Sequence, residues 1–295
     1  MTVRAIHAVN TARPTLEGAG VHLSRAIGFG DPGECDPFLL LDDFRSDEPD
    51  DYLAGFPWHP HRGIETITYV LKGDVEHQDS LGNKGVISSG DMQWMTAGSG
   101  IVHQEMPQGS TAGSMHGFQL WANLPAAHKM TEPKYQDVKA EDVPVIERED
   151  GSVVRVLCGI VQGVEGPVRD IVAEPEYLDV TLPPHAAFVH PTPQGHTVLA
   201  YVIEGAGRFG PLEDDIAPDG TLPEPPMLGD RTLVRYADGD EVGISAGDAG
   251  VRFLLISGKP LGEAIAWRGP IVMNTQDELR EAYRELHEGT FIKHG

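Results

Sequence analysis

An internal repeat restricts the fold of this 295-residue chain more than any other feature of its sequence. An apolar stretch ends in a glycine turn in TYVLKGDV, around Tyr69, and the same pattern returns in AYVIEGAG, around Tyr201. The stretch GDMQWMTAGSGIVHQE from Gly90 likewise matches GDEVGISAGDAGVRFL from Gly239 without a gap. Repetition on this scale predicts two copies of one domain, and the chain length suits two domains.

Short stretches of alternating polarity, separated by turn residues, fill both copies. The chain contains 35 glycines and 23 prolines, and this punctuation favours an all-β sandwich or barrel over a βαβ fold. The exception is the segment TQDELREAYRELHEG, residues 275–289, which predicts a helix packed against a barrel. Thr275 and Glu278 form a capping-box pattern, and Gly289 is a stop signal. The apolar stripe of this helix consists of Leu279, Ala282, Tyr283 and Leu286.

The repeat and the distribution of polar residues predict the domain bounds. We place an N-terminal domain at residues 1–135, a polar linker at 136–150, and a C-terminal domain at 151–295 that ends in the helix. The second copy contains additional residues in GPLEDDIAPDGTLPEPPMLGD, residues 210–230. Their proline, glycine and acidic content predicts a surface loop.

The composition excludes several functional classes. The formal net charge of −23 argues against a broad electrostatic contact with nucleic acid, which needs clustered Lys and Arg. Cys35 and Cys158 are the only cysteines, which predicts a reducing compartment and no disulfide framework. The opening MTVRAIHAVNTARPT is too polar for a secretory leader or a membrane span. We therefore expect a soluble, cytoplasmic protein that binds neither nucleic acid nor membrane directly.

Two pairs of polar residues form the candidate site. Side chains two residues apart in a strand share a face, so His59 and His61 form one pair, and His103 and Glu105 form another. If the two strands are neighbours in a barrel, the four side chains converge on one point. Three neutral imidazoles and one carboxylate suit a divalent transition metal such as iron, nickel, copper, cobalt, manganese or zinc, and they leave coordination positions open. A structural zinc site is usually closed and cysteine-rich, and it is the poorer match.

The second copy provides a control for this prediction. The residues that correspond to His59, His61, Glu65, His103 and Glu105 in the gapless alignment are Pro191, Pro193, Thr197, Arg252 and Leu254. The turn pattern is therefore repeated, whereas every candidate ligand is absent from the second copy. If the fold itself required these polar side chains, both copies would need them, so we interpret them as functional.

The polar residues also admit other interpretations. A histidine in a strand is more often a surface or hydrogen-bonded core residue than a ligand, but the second pair and the contrast between the copies favour metal binding. Glu65 follows His61 by four residues and is a further candidate ligand. Its alternatives are an ion-pair partner of Arg62 or a group that orients an imidazole.

Several motifs together resemble the pirins, a branch of the cupin superfamily. These motifs are FPWHPHRGIETITYVLKGDVEHQDSLGNKG, GDMQWMTAGSGIVHQEMP, DPFLLLDDF at 36–44, HGFQLWANLP at 116–125, and GPIVMNT. The resemblance implies two tandem cupin β-barrels of the jelly-roll type, of which the N-terminal one holds a single metal, commonly iron. It implies His59, His61, His103 and Glu105 as the metal ligands, and it favours Glu105 over Glu65.

The resemblance implies two different functions. Some pirins are similar to quercetin 2,3-dioxygenases, so one expectation is an Fe(II)-dependent dioxygenase that opens flavonols with dioxygen and releases carbon monoxide. In that case Glu105 takes the proton of the substrate's 3-hydroxyl. Pirins of animals resemble nuclear co-regulators of transcription, so the other expectation is a metal- or redox-sensing protein that binds a protein partner without turnover. A flavonol needs a cavity of several hundred cubic ångströms, and a narrow or closed cavity would exclude the enzyme. A metal that only stabilises the fold is the third and weakest alternative.

Overall fold

The computed structural model describes residues 1–28, 30–212 and 225–294, so residues 213–224 of the predicted surface loop lie outside the described residues. The chain forms two compact units. The first unit consists of Arg13–Asp142 and Leu261–Gly295, and the second unit of Met1–Ala12 and Val143–Pro260. The chain passes between the units inside the predicted linker at 136–150. The predicted bounds, however, put the two chain ends in the wrong units. Met1–Ala12 belongs to the second unit, and Leu261–Gly295 belongs to the first.

Almost all regular structure is β-structure, which confirms the predicted fold class. The described strands are β1 (Ile6–Thr11), β2 (Arg13–Glu17), β3 (Val21–Ile27), β4 (Phe38–Ser46), β5 (Phe56–His61), β6 (Ile64–Lys72), β7 (Asp74–Asp79), β8 (Lys84–Ile87), β9 (Met92–Thr96), β10 (Ile101–Gly109), β11 (Met115–Asn123), β12 (Lys134–Val138), β13 (Val145–Glu147), β14 (Val153–Cys158), β15 (Ile160–Val161), β16 (Val164–Glu165), β17 (Glu176–Leu182), β18 (Ala187–Pro191), β19 (Thr197–Phe209), β20 (Met227–Gly229), β21 (Thr232–Tyr236), β22 (Glu241–Gly258), β23 (Ala266–Arg268) and β24 (Ile271–Met273). The described helices are α1 (Gln276–Glu288) and 3₁₀ turns at Pro32–Cys35, Pro49–Asp51, Ala126–His128 and Ala140–Asp142. In the described part of the chain, no helix has the length and apolarity of a membrane-spanning segment.

Two large antiparallel sheets dominate the first unit. One has the strand order β12-β9-β6-β11-β4-β3-β2, and the other has the order β5-β10-β7-β8. Apolar side chains pack into buried clusters, one around Val21 and Val70 and another around Ile64 and Met95. Because β5 and β10 are neighbours, the two strands that carry the predicted ligand pairs lie side by side.

One large sheet dominates the second unit. Its main path is β1-β21-β19-β22-β17-β14-β13, and β18 and β20 pair with β22 and β19. Inward-facing apolar side chains, including Phe188, Phe209 and Phe253, form a continuous core. The pairing of β1 with β21 explains why the first residues of the chain belong to this unit.

Strand pairing corrects the predicted alignment of the two copies. Tyr69 of β6 pairs with the first residue of β9, just after Gly90, whereas Tyr201 of β19 pairs with Leu233 of β21, which precedes Gly239. The predicted match of Gly90 to Gly239 is therefore wrong. By its partners, β21 corresponds to β9, and the long strand β22 corresponds to β10 and β11. The error arose because a Gly-Asp pair signals a turn without specifying which strand follows.

The last segment of the chain packs within the first unit. β23 and β24 form a hairpin, and α1 packs against it through Leu279 and Ala282, which are buried as the predicted stripe requires. Thr275 caps the helix in a capping box with Glu278, and Gly289 ends it in the left-handed conformation, as predicted. The predicted helix is confirmed, and its contacts place it in the first unit, which also contains both candidate ligand pairs.

Candidate metal centre

The strands β5 and β10 bring the three predicted histidine ligands together. They pair antiparallel, and His103 lies directly opposite His59. Along β10 the buried residues alternate with more exposed ones, so His103 and Glu105 share the inner face, as their spacing predicted. His61 and His103 are buried, and His59 is half-buried.

The three imidazole rings form a compact triangle. Their centroids are 4.8 Å apart for His59 and His61, 4.4 Å for His59 and His103, and 5.0 Å for His61 and His103. One ring nitrogen from each histidine lies within 4.8 Å of the others. Three nitrogen donors at this spacing can reach a single ion placed between them.

Backbone carbonyls fix the tautomers of two of these rings. His59 Nδ1 lies 2.9 Å from the Pro57 carbonyl oxygen, and His61 Nδ1 lies 3.2 Å from that of Pro270. Because a carbonyl oxygen only accepts, each Nδ1 donates its proton, and each Nε2 of the neutral ring presents a lone pair. The two Nε2 atoms are 3.0 Å apart. Two lone pairs at this distance repel each other unless a cation lies between or beside them.

His103 supplies a second sign that these residues are suited to a cation. Neither of its buried ring nitrogens has a hydrogen-bond partner within the described part of the chain. A buried polar atom without a partner costs about 1–3 kcal/mol, so native proteins rarely leave one unsatisfied. Coordination of an ion through one ring nitrogen would satisfy that atom.

Burial keeps the imidazoles in the form that binds metal. Desolvation, followed by the neighbouring ring of His59, lowers the pKa of His61 well below its usual range. Desolvation, followed by the rings of His61 and His59, does the same to the pKa of His103. Both rings are therefore neutral at pH 7. Neutral imidazole nitrogens fit a divalent transition ion of borderline softness, and these three residues could hold one.

Glu105 lies close to this triangle and is held by a chain of hydrogen bonds. Its carboxylate is buried but is not part of the compact histidine group. The Oε1 atom accepts a 2.8 Å hydrogen bond from Thr68 Oγ1, which also lies 2.9 Å from the side-chain amide of Gln119. The Thr68 hydroxyl carries one proton and lies within hydrogen-bond distance of two side-chain oxygens, Glu105 Oε1 and Gln119 Oε1, so it joins these two side chains. This chain fixes the position of the carboxylate.

Thr68→Val is expected to lower the free energy of unfolding by about 1–3 kcal/mol, because it leaves the buried Glu105 carboxylate without its hydroxyl donor. The side chain keeps its shape, so packing changes little. Urea unfolding at pH 7 measures the effect. Thr66→Val is the matched control at a buried threonine on the same face of β6, and it should lower the unfolding free energy by less than Thr68→Val does. Equal losses in the two variants would show that the hydroxyl of Thr68 does not support Glu105.

Glu65 and Arg62 do not form the ion pair that was one of the alternatives. Glu65 accepts a 2.7 Å hydrogen bond from Thr96, and it lies on the opposite face of β6 from Thr68 because strand side chains alternate. Glu65 lies an even number of residues after His61, but the turn at Arg62 and Gly63 separates β5 from β6, so this spacing does not put the two side chains on one face. Glu65 is therefore outside the histidine group among the described residues.

Arg62 is a buried structural residue of the turn after His61. Its Nε donates to the Ser99 carbonyl oxygen at 2.6 Å, and one NH₂ group donates to that of Phe291 at 2.7 Å. The other NH₂ group pairs with Glu285 at 2.8 Å. Since Phe291 and Glu285 lie beyond β24, this side chain joins the histidine strand to the last segment of the chain.

A cavity of about 630 Å³ opens onto the candidate site. His59, His61 and Glu105 line one part of it. Its apolar wall consists of Leu23, Leu40, Phe44, Phe56, Trp121 and Trp267. The Trp121 ring meets the ring of His61 edge-on at 5.1 Å, so the apolar wall begins directly beside the imidazoles.

Sequence reasoning missed the polar residues that support the site. Thr68 and Gln119 were not singled out, although each is a polar residue within a largely apolar strand, Thr68 buried and Gln119 half-buried. Asp42 and Arg25 also line the cavity. Asp42 follows the apolar run FLLL in a motif that contributed only to the family resemblance. These residues come together through the pairing of separate strands, which no short stretch of the sequence reveals.

The second unit contains no comparable group among the residues that the structure describes. By the corrected pairing, β18 corresponds to β5, and the first part of β22 corresponds to β10. β18 carries a buried histidine, His190, whose Nε2 lies 2.6 Å from Glu176 Oε1. The facing positions on β22 are Val242 and Ile244, which belong to the apolar core. The contrast between the copies therefore holds, although at residues other than those predicted.

Comparisons with known proteins agree with this architecture. The family model described as "Pirin" matches residues 20–122, and the one described as "Pirin C-terminal cupin domain" matches residues 177–292. A Pseudomonas aeruginosa protein, provisionally named a quercetin 2,3-dioxygenase, is 41% identical over 290 residues, which cover 97% of each chain. Human pirin is 40% identical over 275 residues, covering 92% of this chain and 88% of its own. A crystal structure of a quercetin 2,3-dioxygenase from Acinetobacter baumannii superposes with a TM-score of 0.86 at 32% identity, covering 98% of this chain and 99% of that one.

Proposed function

This chain belongs to the pirin family, and from that premise we propose that it is a metal-dependent dioxygenase that opens flavonols such as quercetin and releases carbon monoxide. Its two cupin domains confirm the predicted fold. The observation that carries the proposal is the triangle of three histidines at the wall of an open cavity. Relatives that bear the name quercetin 2,3-dioxygenase support the choice of reaction.

The resident ion is proposed to be Fe(II), held by His59, His61 and His103, with Glu105 as the fourth predicted ligand. Nickel, copper, cobalt, manganese and zinc accept the same donors and are the alternatives. The bound ion supplies Lewis acidity toward the substrate oxygens and reactivity toward dioxygen. Carbonyls of Pro57 and Pro270 orient two of the imidazoles for this task.

The residues of the chain supply the remaining parts of the reaction. Glu105, held by Thr68, accepts the proton of the flavonol 3-hydroxyl at its carboxylate. Trp121 and the other apolar residues of the wall exclude water and orient the flat rings. Both atoms of dioxygen enter the products, and one ring carbon leaves as carbon monoxide.

The cavity favours this function over a regulatory protein that only docks on a partner. A flavonol needs a space of several hundred cubic ångströms, and the observed cavity is about 630 Å³. It is open rather than closed and lies beside the imidazoles. A protein that used its metal only to sense redox state would not need this volume.

Aerobic turnover of quercetin tests the proposal. We expect purified protein loaded with Fe(II) to consume quercetin and release one carbon monoxide per flavonol. Glu105→Gln should lower the turnover rate by about 10²–10⁴-fold, because its amide does not take up a proton at neutral pH. Loss of quercetin absorbance and trapped carbon monoxide are the measurements.

Glu65→Gln is the matched control for this test, because it makes the same change in a buried carboxylate outside the histidine group. Its turnover should stay within about twofold of the wild-type rate. Absence of carbon monoxide with iron, nickel, copper, cobalt and manganese alike would contradict the dioxygenase. Binding of a protein partner that depends on the oxidation state of the metal would then favour the regulatory alternative.

A further inference from the structure

A charged cluster lies in the wall of the otherwise apolar cavity. Asp42 of β4 accepts two hydrogen bonds from Arg25 of β3, at 2.8 Å from Nε and 2.7 Å from an NH₂ group. The other NH₂ group of Arg25 lies 2.8 Å from a carboxylate oxygen of Glu17. The exposed fractions of the side chains are 6% for Asp42, 13% for Arg25 and 41% for Glu17. All three line the cavity that contains the histidines.

The sheet places this cluster in line with the candidate site. Arg25 lies opposite Asp42, Asp42 lies opposite Gln119, and Gln119 lies opposite Thr68, on four consecutive strands. Residues directly opposite each other in antiparallel strands share a face. A polar row therefore runs from Arg25 through Asp42 and Gln119, which line the cavity, to Thr68, and Thr68 bonds to Glu105.

The carboxylates of the cluster offer more hydrogen-bond acceptor sites than Arg25 occupies. A carboxylate offers about four lone-pair sites, and Arg25 occupies one on each oxygen of Asp42. The cluster carries two carboxylates and one guanidinium, so its formal charge is −1. Burial raises the pKa of Asp42 to about 6, partly offset by Arg25, so this carboxyl is an ionised acceptor at pH 8. Such a cluster attracts neutral hydrogen-bond donors and repels anions.

A purely structural role explains this arrangement less well. A buried ion pair gains little stability over apolar residues of similar volume, because desolvation of the charges offsets their attraction. Here the pair interrupts an apolar wall at the place where a ligand would lie.

We propose that Asp42, Arg25 and Glu17 form a subsite that recognises phenolic hydroxyl groups remote from the reacting 3-hydroxyl. The inference rests on the proposed function and specifies its substrate class. The cavity selects polyhydroxylated aromatic substrates over substrates of the same shape that lack the remote hydroxyls. The two carboxylates accept hydrogen bonds from those hydroxyls, and Arg25 holds the carboxylates in place.

Equilibrium binding of two probes tests the subsite. Quercetin and 3-hydroxyflavone carry the same 3-hydroxyl and 4-keto groups, but only quercetin carries further ring hydroxyls. Titration of metal-loaded protein without oxygen, at pH 8, gives both dissociation constants in the absence of turnover. We expect wild-type protein to bind quercetin at least about tenfold more tightly than 3-hydroxyflavone. In Arg25→Met/Asp42→Leu the preference should fall below about threefold.

A bidentate pair in the second unit provides the matched control. Arg252 donates to Asp179 at 2.9 and 2.6 Å, in the same geometry as the cavity pair. Arg252→Met/Asp179→Leu should keep the wild-type preference for quercetin. Circular dichroism checks that the cavity double variant is folded. If it is not folded, Glu17→Gln, at the exposed edge of the subsite, takes its place as the test variant. That variant should lower the preference about threefold.

Each result of this experiment bears on a separate claim. A preference that persists in the cavity double variant, or in Glu17→Gln when that variant replaces it, overturns the subsite. Equal binding of the two probes by wild-type protein also overturns it, while quercetin turnover would leave the dioxygenase standing. If neither probe binds the wild-type protein, the subsite and the proposed function fail together.

Discussion

Replacing His103 with alanine should reduce the bound transition metal from about one ion per chain to less than about a tenth of that. The ring nitrogens of His103 are buried and have no hydrogen-bond partner in the described part of the chain. Because the site has three histidines, removal of His103 deletes a third of its nitrogen donors. The remaining nitrogens of His59 and His61 hold an ion too weakly to survive dialysis. Elemental analysis of protein purified after metal loading measures the stoichiometry.

His185→Ala is the control for this experiment. His185 lies in the second unit with 73% of its side chain exposed, and it belongs to no metal-binding group in the described structure. Its replacement should leave the metal content unchanged. A full complement of metal in His103→Ala would refute the proposed centre, whatever the enzymatic activity of the variant.

Replacing Arg62 with methionine should lower the free energy of unfolding by about 3–5 kcal/mol. The guanidinium is 2% exposed and bonds to two backbone carbonyls and to Glu285, and it lies 4.1 Å over the ring of Phe291. Methionine fills most of the space but leaves the carbonyls without donors. Chemical denaturation of the apoprotein measures the loss without a contribution from metal binding.

Arg280→Met on helix α1 is the matched control for Arg62. The Arg280 side chain is 70% exposed and pairs with Asp277 on the surface of the helix. Exposed ion pairs contribute about 0–1 kcal/mol, so this variant should unfold almost as the wild type does. A loss below about 1 kcal/mol in Arg62→Met would show that the last segment of the chain is not anchored through this side chain.

The last segment of the chain also contributes to the candidate site. The Pro270 carbonyl accepts from His61 Nδ1, and Trp267 lines the cavity. Lys129 reinforces this arrangement, because its ammonium group donates to the carbonyls of Gly63 and Val272. The hairpin of β23 and β24 is thereby fixed to the turn that follows the histidine strand.

Local sequence patterns were sufficient to predict the elements of the fold. Turn residues and alternating polarity indicated an all-β chain, and capping residues located α1 within one residue at each end. The spacing of His59 and His61 and of His103 and Glu105 indicated shared faces, because side-chain direction in a strand depends on parity alone. The same rule failed for Glu65, because the turn at Gly63 breaks the strand between it and His61.

The sequence by itself determined the strands, the helix and the histidines, since each depends on neighbouring residues and on the chemistry of single side chains. Only the tertiary structure decided the unit to which each chain end belongs, the correspondence of β22 to β10 and β11, and the row from Arg25 to Thr68. These features depend on which strands pair and in which register. Pairing is set by the burial of whole faces and by contacts between residues far apart in the chain, so no short stretch encodes it.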